Sequence, residues 1–189
     1  MPLVLSIPAR ELFDESTSTI IEIPAKKLVL EHSLVSISKW ESKWHKPYIP
    51  PLMATKKEAA KSREEELDYV RCMTIGDNVD PMIYYGLSRK NRLDIQQYIN
   101  DPMTATIITQ NNKKPGRSEV ITSELIYYWM TALNIPFQPC EKWHLNRLLK
   151  LIEVCAIKNE QPKKMSPKSI AKRNHSLNAA RRAKHHSKG

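Results

Sequence analysis

The sequence predicts an α+β protein: a mainly helical body with a small N-terminal antiparallel sheet, followed by a basic C-terminal helical arm. Three observations carry this. β-rich runs cluster before residue 32, apolar residues recur at helical spacing between Ser33 and Ile157, and positive charge concentrates beyond residue 157. The boundary follows the charge, with residues 1–157 as a mixed globular body and residues 158–189 as the arm.

Val4, Leu5 and Ile7, then Thr19 to Ile23, then Lys27 to Glu31 read as strands of one small sheet. Pro8 and Pro24 separate them because proline has no N–H to give a ladder. Ser33 stands where an N-cap belongs. At about 100° per residue, Leu34, Ile37, Trp40 and Trp44 share one side of the helix that follows, a stripe suited to docking on the sheet. That helix must stop before Pro47, and Pro47, Pro50 and Pro51 make a stiff extended link.

Lys57 to Met73 reads as one helix, with Glu64, Glu65, Glu66 and Asp68 on a solvated charged face and Gly76 terminating it. Asp80 and Pro81 are an N-cap and first-turn pair for a short helix through Tyr85. Ser88 opens another helix carrying Leu93, Ile95, Tyr98 and Ile99, which Pro102 closes. Thr104 to Thr109 is β-branched and precedes a turn-rich loop from Asn111 to Gly116, so Val120 and Ile121 are expected to pair back as a hairpin.

Leu125 to Ile135 is apolar on nearly every side, which predicts a helix enclosed at the centre of the core. Glu141 to Ile157 reads as a long helix burying Leu145, Leu148, Leu149, Leu151, Ile152 and Cys155. Each such side chain contributes roughly 1.5–3 kcal/mol when fully buried, so this helix closes the body. Ser166 and Pro167 supply N-cap and first-turn chemistry for a last helix, whose large apolar residues beyond Met165 are Ile170 and Leu177. Such a segment cannot bury itself. It is expected to be mobile alone and helical when something covers its Ile170–Leu177 edge or neutralises its charge. No internal repeat is present.

Length and composition set limits on function. At 189 residues, 41% hydrophobic and 26% charged, the chain can build one full core with an appendage. Its longest apolar run, Leu125 to Met130, is far short of the ~20 residues of a membrane span. The N-terminus has no basic segment ahead of its apolar stretch, so no cleaved signal is expected. Three cysteines, Cys72, Cys140 and Cys155, fit free thiols in a reducing compartment and hence the cytoplasm. Only four glycines occur, widely spaced, which disfavours phosphate-cradling loops. Residues 158–189 hold ten Lys and Arg against Glu160, a balance of +9. The remaining 20 basic and 19 acidic residues leave the body at +1.

Catalytic signatures are missing from the sequence: there is no G-x-S-x-G, H-E-x-x-H or C-x-x-C. Cys140 and His144 have the i, i+4 spacing of two metal ligands, but tetrahedral zinc needs further partners that sequence spacing does not supply. Adjacent carboxylates at Glu64 to Glu66 diverge around a helix and cannot flank one substrate. His185 and His186 belong to a chain end. The reading is therefore a non-enzyme, with no catalytic residue, metal ligand or cofactor assigned. Trp40, Trp44, Trp129 and Trp143 are expected in core packing, with Trp44 alternatively a partner-binding hot spot beside Lys43 and His45. For the arm three readings stand: a solvated end, a nucleic-acid arm acting by charge alone because residues 158–189 contain no aromatic for base stacking, or a docking arm for an acidic or amphipathic partner. The candidate partner-contact residues are Trp44, Lys163, Lys164, Lys168, Ile170, Lys172, Arg173, Leu177, Arg181 and Arg182.

Five stretches resemble a known family: L-E-H-S-L-V-S-I-S-K-W-E-S-K-W at Leu30 to Trp44, P-M-T-A-T at Pro102 to Thr106, E-V-I-T-S-E-L-I-Y-Y-W-M at Glu119 to Met130, W-H-L-N-R-L-L at Trp143 to Leu149, and the P-K-K-M-S to N-A-A-R-R end. They are similar to the tail assembly chaperones of long-tailed bacteriophages over nearly the whole chain. The resemblance implies a non-catalytic late protein of the host cytoplasm. Such a protein binds the helical tape-measure protein, and other tail proteins, while the tail polymerises. It assigns no site residues. A structural place in the virion, in the tail or at the head–tail connector, is the alternative, and sequence-nonspecific nucleic-acid binding through the arm is the second.

Overall fold

The computed structural model describes residues 1–14, 18–51, 53–76, 79–108, 120–159 and 167–185, without the side chains of Asp14, Lys56, Lys57 and Ser169. It is an α+β fold, mainly helical, and divides into two compact units, Met1–Ala156 and Ile157–Gly189.

The first unit opens with four strands, β1 (Leu3–Ile7), β2 (Arg10–Asp14), β3 (Thr19–Ile23) and β4 (Lys26–Leu30). β1 pairs antiparallel with β4 and β2 with β3, as two separate two-stranded sheets rather than the single sheet the sequence suggested. Both ladders share one register. Ile7 faces Lys26 and Arg10 faces Ile23, so partner numbers sum to 33 throughout. The chain is thus one long β-ribbon interrupted where Pro8 and Pro24 remove donors from opposite strands. β2 was not expected, because R-E-L-F-D has a weak alternation. Leu5, Leu28 and Leu30 face inward, while Val4 is outward. Gly86 lies against the far part of the ribbon: a Cβ there would sit 3.1 Å from Ile7 Cγ2 and 3.2 Å from Ile23 Cγ2.

Helix α1 (Leu34–Trp44) starts at Ser33, whose hydroxyl accepts from the Ser36 N–H as predicted, and buries Leu34, Ile37 and Trp40. The expected helix from Lys57 to Met73 is broken into α2 (Lys56–Ala59) and α3 (Arg63–Met73). The reason is a capping box: Ser62 accepts from Glu65 N–H while the Glu65 carboxylate accepts from Ser62 N–H, which forces a fresh start there. Glu65 and Asp68 are consequently buried, against the reading of that cluster as a solvated face; Glu64 and Glu66 are exposed. After α3, Glu31 N–H donates to Met73 O and Ile75 N–H to Val29 O, so this segment lies alongside β4.

Asp80 and Pro81 begin a short 3-10 helix, η1 (Pro81–Gly86), and Ser88 caps α4 (Arg89–Asn100), both at the expected starts. Ile95 and Tyr98 of α4 are buried, whereas Leu93 is exposed. The hairpin expected over residues 104–121 is not formed among its described residues. Residues 101–108 and 120–122 have no strand, and Ile107 is exposed, because β-branched side chains gain nothing from extension without a partner strand to pack on. Thr109 and the Asn111–Gly116 loop lie outside the described residues.

Helix α5 (Ser123–Ala132) is capped by Thr122. It ends with Asn134 left-handed (φ 54°), Asn134 N–H donating to Thr131 O and Ile135 N–H to Met130 O, the paired bonds of a Schellman motif. Contrary to expectation it is a surface helix: Ser123, Ile126 and Met130 are buried and Tyr128 is 65% exposed. Next come α6 (Phe137–Cys140), containing the cis Gln138–Pro139 peptide, and α7 (Leu145–Asn159). α7 starts four residues later than predicted because His144 is held in an isolated bridge with Ser33, and Leu145 N–H donates to His32 O at 2.8 Å. Of its six expected core residues, Leu145, Leu148 and Ile152 are buried and Leu149, Leu151 and Cys155 half-buried.

In the second unit, α8 spans Pro167–His185 and every side chain described there is exposed. The arm is helical, as its N-cap and first-turn residues led us to expect, with none of its described side chains buried. Its alanine, lysine, arginine and leucine residues are strong helix formers and favour that conformation locally. Met165 and Ser166 lie outside the described residues.

Candidate interaction surfaces

Several buried polar groups of the body form internal networks, although Arg71 Nε and Ser123 Oγ are buried without a hydrogen-bond partner among the described residues. Glu41, nearly buried on α1, accepts from Tyr48 N–H at 2.8 Å and from Ser123 N–H at 2.7 Å, so one carboxylate ties α1 to the link and to the start of α5. Asp68 bonds Lys43 and accepts from Trp44 Nε1 at 2.9 Å, while Glu65 bonds Lys46 and its backbone carbonyl accepts from Trp40 Nε1 at 3.0 Å. The Lys46 contact is the main reason the Glu65 carboxyl titrates below its ordinary range.

A second network joins β4, α3, α4 and the bridge before α7. His32 Nδ1 and the Tyr69 hydroxyl share a 2.5 Å hydrogen bond, the His32 and His144 rings lie 5.0 Å apart edge-to-face, and the Tyr98 hydroxyl donates to Glu31 at 3.0 Å. Burial, helped by His144 and Lys61, pushes His32 down to about 3. His144 uses both ring nitrogens: Nε2–H donates to Tyr98 O at 2.9 Å and Nδ1 accepts from Asn146 N–H at 3.3 Å. Its lone pair is therefore engaged, and Cys140 is buried at the end of α6. Among the described residues no group of three His, Cys, Asp or Glu side chains could hold a metal ion.

The sequence-predicted contact residues fall in two places. Trp44 is half-buried, hydrogen-bonded to Asp68 and stacked on Trp40 with ring centroids 6.2 Å apart, with Lys46 5.6 Å from its ring. Trp40 is buried, Trp129 half-buried, and Trp143 lies half-buried outside α7 with the Arg147 guanidinium 4.5 Å from its ring. Seven of the others are on α8. At about 100° per residue, Ile170, Leu177, Arg181 and Arg173 share one side of it, and Lys168, Lys172 and Arg182 lie on the other. Ile170 and Leu177 are each 45% exposed. Lys163 and Lys164 lie outside the described residues.

Three further surfaces were not read from the sequence. The outer side of α5 exposes Tyr128, flanked by half-buried Leu125 and Trp129; Phe137 of α6 is exposed nearby and packs edge-on against Tyr127, ring centroids 5.3 Å apart. A cavity of about 450 Å³ is walled mainly by α3 and α4, with Val70, Leu87 and Ile95 in its lining and, among the described residues, Lys61, Arg63 and Arg92 against the single acid Glu66. Lys61 donates to Tyr48 O at 3.0 Å, lies 4.1 Å from the Tyr48 ring centroid, and is lowered in pKa by its burial. The β2–β3 end of the ribbon exposes Phe13 and Ile20. Of the three, the cavity had a signal in the sequence: Ser62-x-x-Glu65 is a capping box, and it places Lys61 and Arg63 at a helix entrance rather than mid-helix.

No helix among the described residues is long and apolar enough to cross a membrane. No family model matches the chain, and no curated protein or solved structure is significantly similar to it.

Proposed function

We propose that this protein is a non-catalytic assembly factor that works by protein contact, and specifically a tail assembly chaperone that keeps a tape-measure protein soluble during phage tail morphogenesis. The observation that carries the reading is the outer side of α5 and α6, where Tyr128 is 65% exposed with half-buried Leu125 and Trp129 on one flank and Tyr127 on the other, and Phe137, 45% exposed, packs against Tyr127. Aromatic anchors on an exposed apolar patch suit an apolar stripe on a partner helix. The internal networks support it from the other side: His32, His144, Glu41, Glu65 and Asp68 each spend their polar atoms within the fold. Along α8, the sequence from Lys168 to Lys184 carries six cations and no Asp or Glu, a balance that raises the encounter rate with acidic stretches, while Ile170 and Leu177 supply the register.

Co-expression with the tape-measure protein tests this. The expected result is increased soluble yield and co-purification, both lost in a Tyr128→Ser/Phe137→Ser variant that melts like the wild type. Unchanged solubility with and without this chain overturns the proposal. The exposed cations of α8 also favour a second reading, sequence-nonspecific nucleic-acid binding. It requires salt-sensitive DNA retention that disappears when residues 158–189 are deleted. Fixed-copy recovery in purified particles would instead mark a structural virion component.

A further inference from the structure

The tip of the β-ribbon and the cavity walled by α3 and α4 are complementary surfaces carried by one chain. Phe13 and Ile20 face each other across β2 and β3 and are each 64% exposed. Glu11 and Glu22 form the pair two residues further along, so the two-residue alternation of strands puts all four side chains on one face. That face is a large apolar pair beside two negative charges. The cavity has the opposite character: an apolar lining that includes Val70, Leu87 and Ile95, with Lys61, Arg63 and Arg92 outnumbering Glu66. Its volume, about 450 Å³, lies within the roughly 300–1,000 Å³ of sites that enclose bulky apolar groups.

We infer that the ribbon tip of one copy seats Phe13 and Ile20 in the α3–α4 cavity of a second copy, with Glu11 and Glu22 meeting the Lys61–Arg63–Arg92 rim. Tip and cavity are different surfaces, so the contact is heterologous, and each joined pair retains a free tip at one end and a free cavity at the other. Growth therefore continues into a ring or a short filament. A contact made by four side chains is small and charge-assisted, so it is concentration-dependent and weakened by salt. This inference is independent of the chaperone reading.

Sedimentation equilibrium of the 189-residue chain at low and high salt tests it. The expected mass rises above the 21.9 kDa of one chain with concentration, and less steeply at high salt. Phe13→Ser and Arg92→Glu change exposed side chains, so both variants should melt like the wild type while each alone stays at 21.9 kDa. Their equimolar mixture should form a species of twice that mass and nothing larger, because the R92E chain supplies the tip and the F13S chain the cavity. E11K alone should lose association, and E11K with R92E in one chain should regain it. A wild-type protein that remains monomeric at every concentration overturns the inference. So do association that survives either single substitution and a mixture that stays monomeric.

Discussion

Acidification should destabilise this protein well before its carboxylates protonate, through His32. The ring is 2% exposed and is faced by His144 from the bridge before α7, by Tyr69 of α3, by Tyr48 of the proline link and by Lys61. Burial is the largest cause of its fall from 6.5 to about 3, with the neighbouring His144 and Lys61 adding to it. Because the folded value is depressed, the unfolded chain takes up the proton first. The contribution is fully present above about 6.5 and is lost as pH falls from there towards 3. At pH 5 the unfolded side chain lies 1.5 units above the solution pH, which at about 1.36 kcal/mol per unit costs roughly 2 kcal/mol of folding free energy. His144, also lowered by burial, acts with the same sign. Glu65 contributes only below the ordinary carboxyl value of 4.5, so the window between pH 7 and 5 belongs to the histidines. Urea unfolding at the two pH values measures the difference directly, and His32→Gln should remove most of it whatever its effect at pH 7. Equal stabilities within about 0.5 kcal/mol, or the same fall in H32Q, would refute the argument.

Other substitutions probe the remaining contacts. Glu41→Ala leaves the Tyr48 and Ser123 N–H groups without their carboxylate and should cost about 2–4 kcal/mol in chemical denaturation, whereas an exposed control such as Glu64→Ala should cost almost nothing. Trp40→Ala empties a site only 1% exposed and strips a hydrogen bond to Glu65 O, for an expected loss of about 3–5 kcal/mol. Gly86→Val drives a branched side chain into Ile7 and Ile23 and should cost roughly 1–3 kcal/mol, read as a lowered melting temperature. Burial raises the Cys72 thiol to about 11, two units above its ordinary 9.0. With Cys140 and Cys155 replaced by serine, its alkylation near neutral pH should run about tenfold slower than a free thiol. The hundredfold smaller thiolate fraction is partly offset by the greater nucleophilicity of a more basic thiolate. A rate equal to that of free cysteine would contradict that environment.

Local signals were legible where one residue decides the outcome. Ser33, Asp80 and Ser88 begin helices because a side-chain oxygen satisfies an N–H that the first turn leaves free, and that chemistry needs no distant partner. Ser62 follows the same rule and ends any continuous helix from Lys57, so its omission was a missed signal rather than a missing one. The residues of the proposed contacts were harder to see. Lys61 and Arg92 lie 31 positions apart, and only the packing of α3 and α4 places them around one cavity. Phe13 and Ile20 meet only because the ribbon holds its register past two prolines.

The sequence by itself determined the α+β class, the starts of α1, η1, α4 and α8, and the separation of a near-neutral body from a cationic arm, because caps, prolines and charge act on their immediate neighbours. Tertiary structure alone decided which apolar surface is covered. Leu125 to Ile135 reads as a buried helix from composition, yet Ile126 and Met130 face the core while Tyr128 faces outward, and the acids Glu41, Glu65 and Asp68 are inside. Burial is settled by what other elements bring opposite a side chain: a carboxylate can go inside where N–H groups and lysines meet it, and an aromatic remains outside where nothing is packed against it.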